Sequence, residues 1–288
     1  MKVAILGTGK MGAAMARRLH QRGYELSLWN RTRSRAELLG VGPVFESPAQ
    51  AVQGVDLAIS MLTDSAAVRQ TYLGKGGAAE VNGAPIYVDS STVDPGTHEQ
   101  LAKALSERGA SFIEAPVVGS VPAVESGKLL ILVGGDESTL ERIRPVLEVL
   151  GEVRYIGPLG QGARLKLIAN SMLAITSAAA GELYNAGVRA GVDRQRVWEI
   201  LTRFAPYLDA RRAGFLDGHY EPAMFRLVDL VKDLRLADDL YGEVGIDTPL
   251  TEATRQLFEK ALGEYGERDI AAIADLWREP SAARQPLR

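Results

Sequence analysis

Val3-Ala4-Ile5-Leu6-Gly7-Thr8-Gly9-Lys10-Met11-Gly12 is the stretch that decides the fold. Four consecutive apolar residues read as a strand buried on both faces. Glycines at positions 7, 9 and 12 follow with the spacing G-x-G-x-x-G, and Met11 to Arg22 then carries a helical pattern that stops at Gly23, where a C-terminal cap belongs. A second strand, Glu25 to Trp29, completes a βαβ unit. In such a turn the first glycine permits the tight bend, the second admits a pyrophosphate close to the backbone, and the third packs helix against strand. The helix N-terminal amides face the anion. The turn therefore predicts a dinucleotide site built from Gly7, Thr8, Gly9, Lys10, Met11 and Gly12.

The end of the second strand qualifies that prediction. A dinucleotide fold that takes NAD carries an acid there for the adenosine ribose, whereas this chain reads Asn30-Arg31-Thr32-Arg33-Ser34-Arg35, with no carboxylate before Glu37. A 2′-phosphate would meet a guanidinium and a hydroxyl in place of a repelling acid. NADP(H) is the expected cofactor, with Asn30, Arg31 and Thr32 as contacts, Arg31 and Thr32 foremost.

Outward from this unit, further short apolar runs read as strands: Leu57 to Met61, Ile86 to Val88, Ser111 to Glu114, Leu129 to Val133 and Arg154 to Ile156. Helices fill the gaps, for example Pro95 to Arg108 ending at Gly109. Strand signals stop after Gly162, and helical periodicity continues from Ala163 to about Ala190, from Arg194 to Phe204, from Asp229 to Val244 and from Leu250 to Tyr265. The expected fold is α/β: a Rossmann-type parallel sheet domain over residues 1–160, which binds NADP, followed by an all-helical domain over 161–288 for substrate and dimerisation. Pro280 to Arg288 reads as a frayed tail.

Composition narrows the chemistry. With 288 residues, 46% of them hydrophobic, the chain is long enough for two cores, and a formal charge of −3 gives no basic surplus for nucleic acid. Cysteine is absent, which excludes thiol nucleophiles, disulfides and zinc thiolate sites. The histidines His20, His98 and His219 have no metal-pair spacing, each reads as solvated, and no metal is expected. The first apolar run is too short for a signal peptide and no stretch resembles a membrane span, so the expected location is cytoplasmic.

Lys166 and Asn170 stand one helical turn apart and open a segment without charge from Leu167 to Gly181, just after the glycine-rich Gly157-Pro158-Leu159-Gly160-Gln161-Gly162. Their i, i+4 spacing puts both on one face. Desolvation beside apolar neighbours draws an ammonium toward the range useful for proton transfer. Taken alone, a lysine near a helix start more often reaches back to water.

Together these segments resemble the β-hydroxyacid dehydrogenase family, which includes 3-hydroxyisobutyrate dehydrogenases, tartronate semialdehyde reductases and glyoxylate/succinic semialdehyde reductases. The resemblance spans nearly the whole chain. Its motifs are the Gly7 to Gly12 turn, Asp89-Ser90-Ser91-Thr92, Glu114-Ala115-Pro116-Val117-Val118-Gly119-Ser120 continuing to Gly127-Lys128-Leu129, the Gly160 to Asn170 segment, and Phe225 with Lys232-Asp233-Leu234. It implies Lys166 as general acid/base, with Asn170 holding substrate or lysine in line. It implies further that Val118, Gly119 and Ser120 receive a substrate carboxylate and that Thr92 borders nicotinamide and substrate. Leu62 and Thr63 would line the nicotinamide ribose, Lys232 would contact the cofactor, and Phe225 and Asp233 would close the site. Where the family often has Ser, this chain has Val118, an apolar wall that disfavours a hydroxylated substrate such as tartronate semialdehyde.

The resemblance thus implies an NADPH-dependent reductase of small aldehyde acids, reversible toward 3- or 4-hydroxy acids. Imine reductases share the architecture and a similar Asn-Arg-Thr segment but generally lack the lysine. An imine or ketone reductase, or a non-catalytic NADP-binding interaction protein, stays open as an alternative. A homodimer through the apolar helical domain is expected.

Overall fold

The computed structural model describes residues 1–81 and 85–278. The expected tail from Pro280 lies outside the described residues. The chain forms two compact units, 1–167 and 168 onward.

The first unit is built on an eight-stranded sheet in the order β2-β1-β3-β4-β5-β7-β6, with β8 also pairing β7. The strands are β1 (Lys2–Leu6), β2 (Glu25–Trp29), β3 (Leu57–Ser60), β4 (Ile86–Asp89), β5 (Ser111–Glu114), β6 (Val117–Val118), β7 (Leu129–Gly135) and β8 (Gly151–Gly157). Residues 3–6 are completely buried, and their alternation feeds two cores. Val3 and Ile5 pack with Leu19, Val88 and Ile113. Ala4 and Leu6 pack on the other face with Tyr72, Tyr87 and Leu101.

The first five strands are parallel, as the alternation of strands and helices predicts. The sheet is not parallel throughout, because β7 runs antiparallel to both β5 and β6. The β5 to β7 connection holds the two-residue β6, which pairs antiparallel with β7, and the six-residue helix α6 (Val121–Ser126), which folds the chain back beside itself.

Among the helices of this unit, α1 (Lys10–Gln21) follows the glycine turn, α2 (Arg33–Glu37) follows β2, α3 (Pro48–Val52) and α4 (Ser65–Leu73) stand before and after β3, and α7 (Glu137–Leu150) joins β7 to β8. Helix α5 (Pro95–Ser106) connects β4 to β5. Asp94 caps α5 by accepting the Thr97 amide at 2.8 Å, and Pro95 stands in its first turn.

Helix α8 (Gln161–Arg189) begins in the first unit and continues into the second. The helical unit adds α9 (Arg194–Phe204), α10 (Arg212–Asp217), α11 (Leu227–Glu243) and α12 (Pro249–Tyr265) around Trp198, Phe215, Leu230, Leu234, Phe258 and Ile273. A Cβ on Gly181 would stand 3.0 Å from the Ala274 Cα, so α8 lies directly against the 3-10 segment Ile270–Leu276. Among the described residues, no helix is long and apolar enough to cross a membrane.

Candidate functional site

The glycine turn forms at the carboxyl end of β1. Gly7 has φ +99°, and a Cβ there would lie 2.5 Å from the Met61 carbonyl oxygen. A Cβ on Gly12 would come within 2.0 Å of the Gly7 carbonyl oxygen, so α1 seats directly on the turn. The ideal Cβ position of Gly9 has no neighbour within 4 Å, which leaves the backbone open to a ligand. Gly9 caps α1 without a side-chain bond and the first helical turn carries no acid, the condition in which N-terminal amides suit an anion. The Thr8 hydroxyl is buried and has no hydrogen-bond partner among the described residues. These features fit a dinucleotide phosphate. Lys10 is exposed and Met11 is half-buried against the core.

Asn30 ties the turn to the end of β2, its Oδ1 accepting the Thr8 amide at 2.9 Å and its Nδ2 donating to the Thr32 carbonyl at 2.9 Å. Thr32 caps α2 without using its hydroxyl. Arg33 is engaged by Glu37 at 2.7 Å and Glu46 at 2.5 Å, whereas Arg31 and Thr32 are exposed.

A buried polar cluster fills the carboxyl ends of β3, β4 and β5, where register aligns Ser60 with Asp89 and Asp89 with Glu114. His98 on α5 bridges the two acids, with Nε2 2.8 Å from Asp89 Oδ2 and Nδ1 2.7 Å from Glu114 Oε2. Burial alone would lower the imidazole pKa, yet the hydrogen bonds to Asp89 and Glu114 outweigh it and raise the value from 6.5 to about 9. His98 is therefore an imidazolium at neutral pH, both ring nitrogens donating. Asp89 Oδ1 accepts the Ser60 hydroxyl at 2.5 Å and the Ser91 hydroxyl at 2.7 Å, and Ser91 Oγ accepts the Leu62 amide at 2.9 Å. Glu114 Oε1 accepts the Gly162 amide at 2.7 Å.

This corrects the reading of His98 as solvated, for its side chain is 0% exposed. The residue stands in the first turn of a helix that returns over the sheet, so it faces the strand ends. Two carboxylates closing apolar strands, Asp89 and Glu114, were the available sign that a buried cation must meet them. His20 and His219 are exposed.

Val118 ends β6, paired with Leu130. Gly119 has φ +137°, where a Cβ would press the Leu129 side chain at 2.8 Å. Ser120 begins α6 without using its hydroxyl as a cap. Leu62 and Thr92 are half-buried and Thr63 is exposed.

On α8, Lys166 is only 9% exposed and Asn170 3%. Within the helical unit, Asn170 Nδ2 donates to Asp233 Oδ2 at 2.6 Å, and Lys232 Nζ lies 2.8 Å from Asp233 Oδ1. Asp233 is itself buried. Phe225 is half-buried against the helical core.

A glycine turn at the first strand of a predominantly parallel sheet, with a buried lysine on the helix that leads from that unit into an all-helical one, defines the class of two-unit nicotinamide-dependent oxidoreductases. Residues 2–157 match the NAD binding domain of 6-phosphogluconate dehydrogenase. Residues 160–277 match the family described as NAD-binding of NADP-dependent 3-hydroxyisobutyrate dehydrogenase.

The chain belongs to the β-hydroxyacid dehydrogenase family, related to 3-hydroxyisobutyrate dehydrogenase. It is 34% identical to glyoxylate/succinic semialdehyde reductase 1 of Arabidopsis thaliana, over 96% of this chain and 98% of the relative. It is also 30% identical to the cytokine-like nuclear factor N-PAC of Xenopus tropicalis, of which it spans 52%. Among solved structures, Psf3 in complex with NADP+ and 2-OPP is similar with a TM-score of 0.88, 26% identity and coverage of 96% of this chain and 100% of that one. Mycobacterium tuberculosis 3-hydroxyisobutyrate dehydrogenase with L-serine gives 0.86, 27%, 96% and 99%. The protein is thus a dehydrogenase or reductase with a nicotinamide cofactor.

Proposed function

We propose that the protein is an NADPH-dependent reductase of small aldehyde acids, of the glyoxylate or succinic semialdehyde type, reversible toward 3- or 4-hydroxy acids. The observation that carries this reading is the burial of Lys166, 9% exposed at the start of a helical stretch that has no other charge as far as Gly181. A solvated lysine would serve a helix start equally well, so an ammonium kept from water points to proton transfer.

Bound NADPH supplies the hydride. The Lys166 ammonium gives a proton to the carbonyl oxygen as negative charge develops there, and in the reverse direction the neutral amine takes the hydroxyl proton. Asn170, its amide fixed by Asp233, holds the substrate or the lysine in line. Backbone amides at Val118, Gly119 and Ser120, with the Ser120 hydroxyl, receive the carboxylate, and the apolar Val118 selects against an extra hydroxyl. Leu62, Thr63 and Thr92 border the nicotinamide. Phe225 and Asp233 (substrate) and Lys232 (cofactor) carry the roles that the family resemblance implies.

Selection of NADPH rests on Arg31 and Thr32, exposed at a strand end with no acid before Glu37. Met172, Leu183, Ile200 and Phe204, between 53% and 84% exposed on α8 and α9, support a homodimer through the helical unit.

NADPH consumption with glyoxylate, succinic semialdehyde, methylglyoxal and a cyclic imine tests the reading. Aldehyde acids should turn over fastest, and Lys166→Ala should lower kcat about 100- to 10,000-fold. Full turnover in that variant would overturn the acid/base role. The similarity to N-PAC, named as a nuclear factor, favours a second reading as an NADP-binding interaction protein. Tight NADPH binding with no turnover on any of these compounds would select it.

A further inference from the structure

The buried cluster at the ends of β4 and β5 has no place in the proton-transfer reading, yet one of its bonds reaches the lysine helix. Gly162 is the second residue of α8, and its amide is among those that an α-helix leaves without an internal partner. Glu114 Oε1 accepts it at 2.7 Å, a carboxylate set at the positive end of the helix. The other Glu114 oxygen, Oε2, is held by His98 at 2.7 Å, so the carboxylate is gripped from both sides.

The surrounding backbone is shaped to this carboxylate. A Cβ on Gly134 would fall 2.1 Å from Glu114 Oε1. A Cβ on Gly162 would stand 2.5 Å from the Leu132 carbonyl oxygen and 3.2 Å from the same Oε1. Glycine at both positions lets β7, β5 and the start of α8 converge on one oxygen.

The chain of bonds is continuous in the other direction. From His98 it passes to Asp89 Oδ2, from Asp89 Oδ1 to Ser91, and from Ser91 to the Leu62 amide. It ends in the loops that hold Leu62, Thr63 and Thr92. Lys166 follows Gly162 by four residues, on the same face and about 6 Å along the axis. A displacement of the first turn therefore carries Lys166 with it. Simple core stability does not call for such a cluster, because well-packed apolar residues commonly replace a buried ionic group without loss.

We propose that Glu114, gripped by His98, is a positioning residue that fixes the first turn of α8 and thereby the placement of Lys166 relative to the loops after β3 and β4. The inference rests on the acid/base role proposed for Lys166.

The test is a double-mutant cycle on the intact protein, using NADPH and whichever carbonyl of the panel turns over fastest. Glu114→Gln keeps the shape but removes the charge. It should lower kcat roughly 10- to 100-fold, as small misplacements of reacting groups do, while the dissociation constant of NADPH stays within about 3-fold. In a Lys166→Ala background the same substitution should cost less than about 2-fold, because the group it positions is gone. His98→Gln, which loosens Glu114 without touching Gly162, should give a smaller loss that likewise vanishes without Lys166, and it decides the matter if Glu114→Gln fails to fold.

Unchanged kcat in Glu114→Gln would overturn the inference. So would an equal loss with and without Lys166, which would mark a merely structural group and leave the acid/base role standing. Full activity of Lys166→Ala, or no turnover on any compound of the panel, would instead overturn the acid/base reading and the positioning role with it.

Discussion

Two corners of the same sheet treat charge in opposite ways. At the ends of β4 and β5, Asp89, His98 and Glu114 are wholly buried and complete one another. At the end of β2, Arg31 and Arg35 are exposed and make no ion pair among the described residues, and only Arg33 is engaged, by Glu37 and Glu46. Charges that the protein satisfies internally set geometry, since moving one partner strands the others in a low-dielectric interior. Charges left at the surface cost little to hold there and remain available for a ligand.

Removing the central cation breaks the closed corner most severely. His98→Leu leaves Asp89 Oδ2 and Glu114 Oε2 buried without the ring that held them and without a countercharge, and we expect a loss of about 3–5 kcal/mol of stability, measured by urea unfolding. Arg33→Ala in the open corner should leave the unfolding midpoint nearly unchanged. Equal effects at the two sites would erase the distinction between them.

The sequence exposed these corners unequally for physical reasons. The glycine turn is a local pattern, and a strand before it with a helix after it suffices to read it. The strands Ser111–Glu114 and Glu25–Trp29 were legible to the residue because each is a short run bounded by turn residues. Strand β8, legible only as Arg154 to Ile156, buries just Gly151 of its seven residues and so lacks apolar contrast along its length. The two-residue β6 is too short for any periodicity, and without it the reversal of β7 could not be foreseen. The burial of His98 is not legible locally, because its partners lie 9 and 16 residues away and meet it only through sheet register. The same register joins Ser60, Ser91 and Gly162 to the cluster, a connection no local window contains.

A milder probe titrates the closed corner instead of cutting it. The His98 pKa is raised from 6.5 to about 9 in the folded protein, so the folded state binds a proton more tightly than the unfolded chain. The groups facing the ring are Asp89 and Glu114. Their attraction contributes in full below about pH 6.5 and is lost as pH rises through about 9, a change of roughly 3 kcal/mol. Urea midpoints should fall between these limits. The decline should be absent in His98→Leu, and an unchanged slope in that variant would assign the titration elsewhere.

The smallest effect belongs to the open corner and appears only when a ligand is present. If Arg31 meets the adenosine 2′-phosphate of NADPH, Arg31→Asp replaces a charge-assisted hydrogen bond with repulsion, and the NADPH dissociation constant should rise about 10- to 100-fold. NADH lacks that phosphate, so its affinity should change by no more than about 3-fold, and a new carboxylate near the ribose hydroxyls can even favour it. Stability without ligand should stay as it was, because Arg31 is exposed and has no ion-pair partner among the described residues to lose. Fluorescence titration of both cofactors separates the outcomes. NADPH affinity that survives the exchange removes Arg31 from the cofactor site, whereas equal weakening of NADPH and NADH means that the substitution disturbed the Asn30-anchored turn instead of a phosphate contact. Only the selective loss shows that this corner is left open for a ligand.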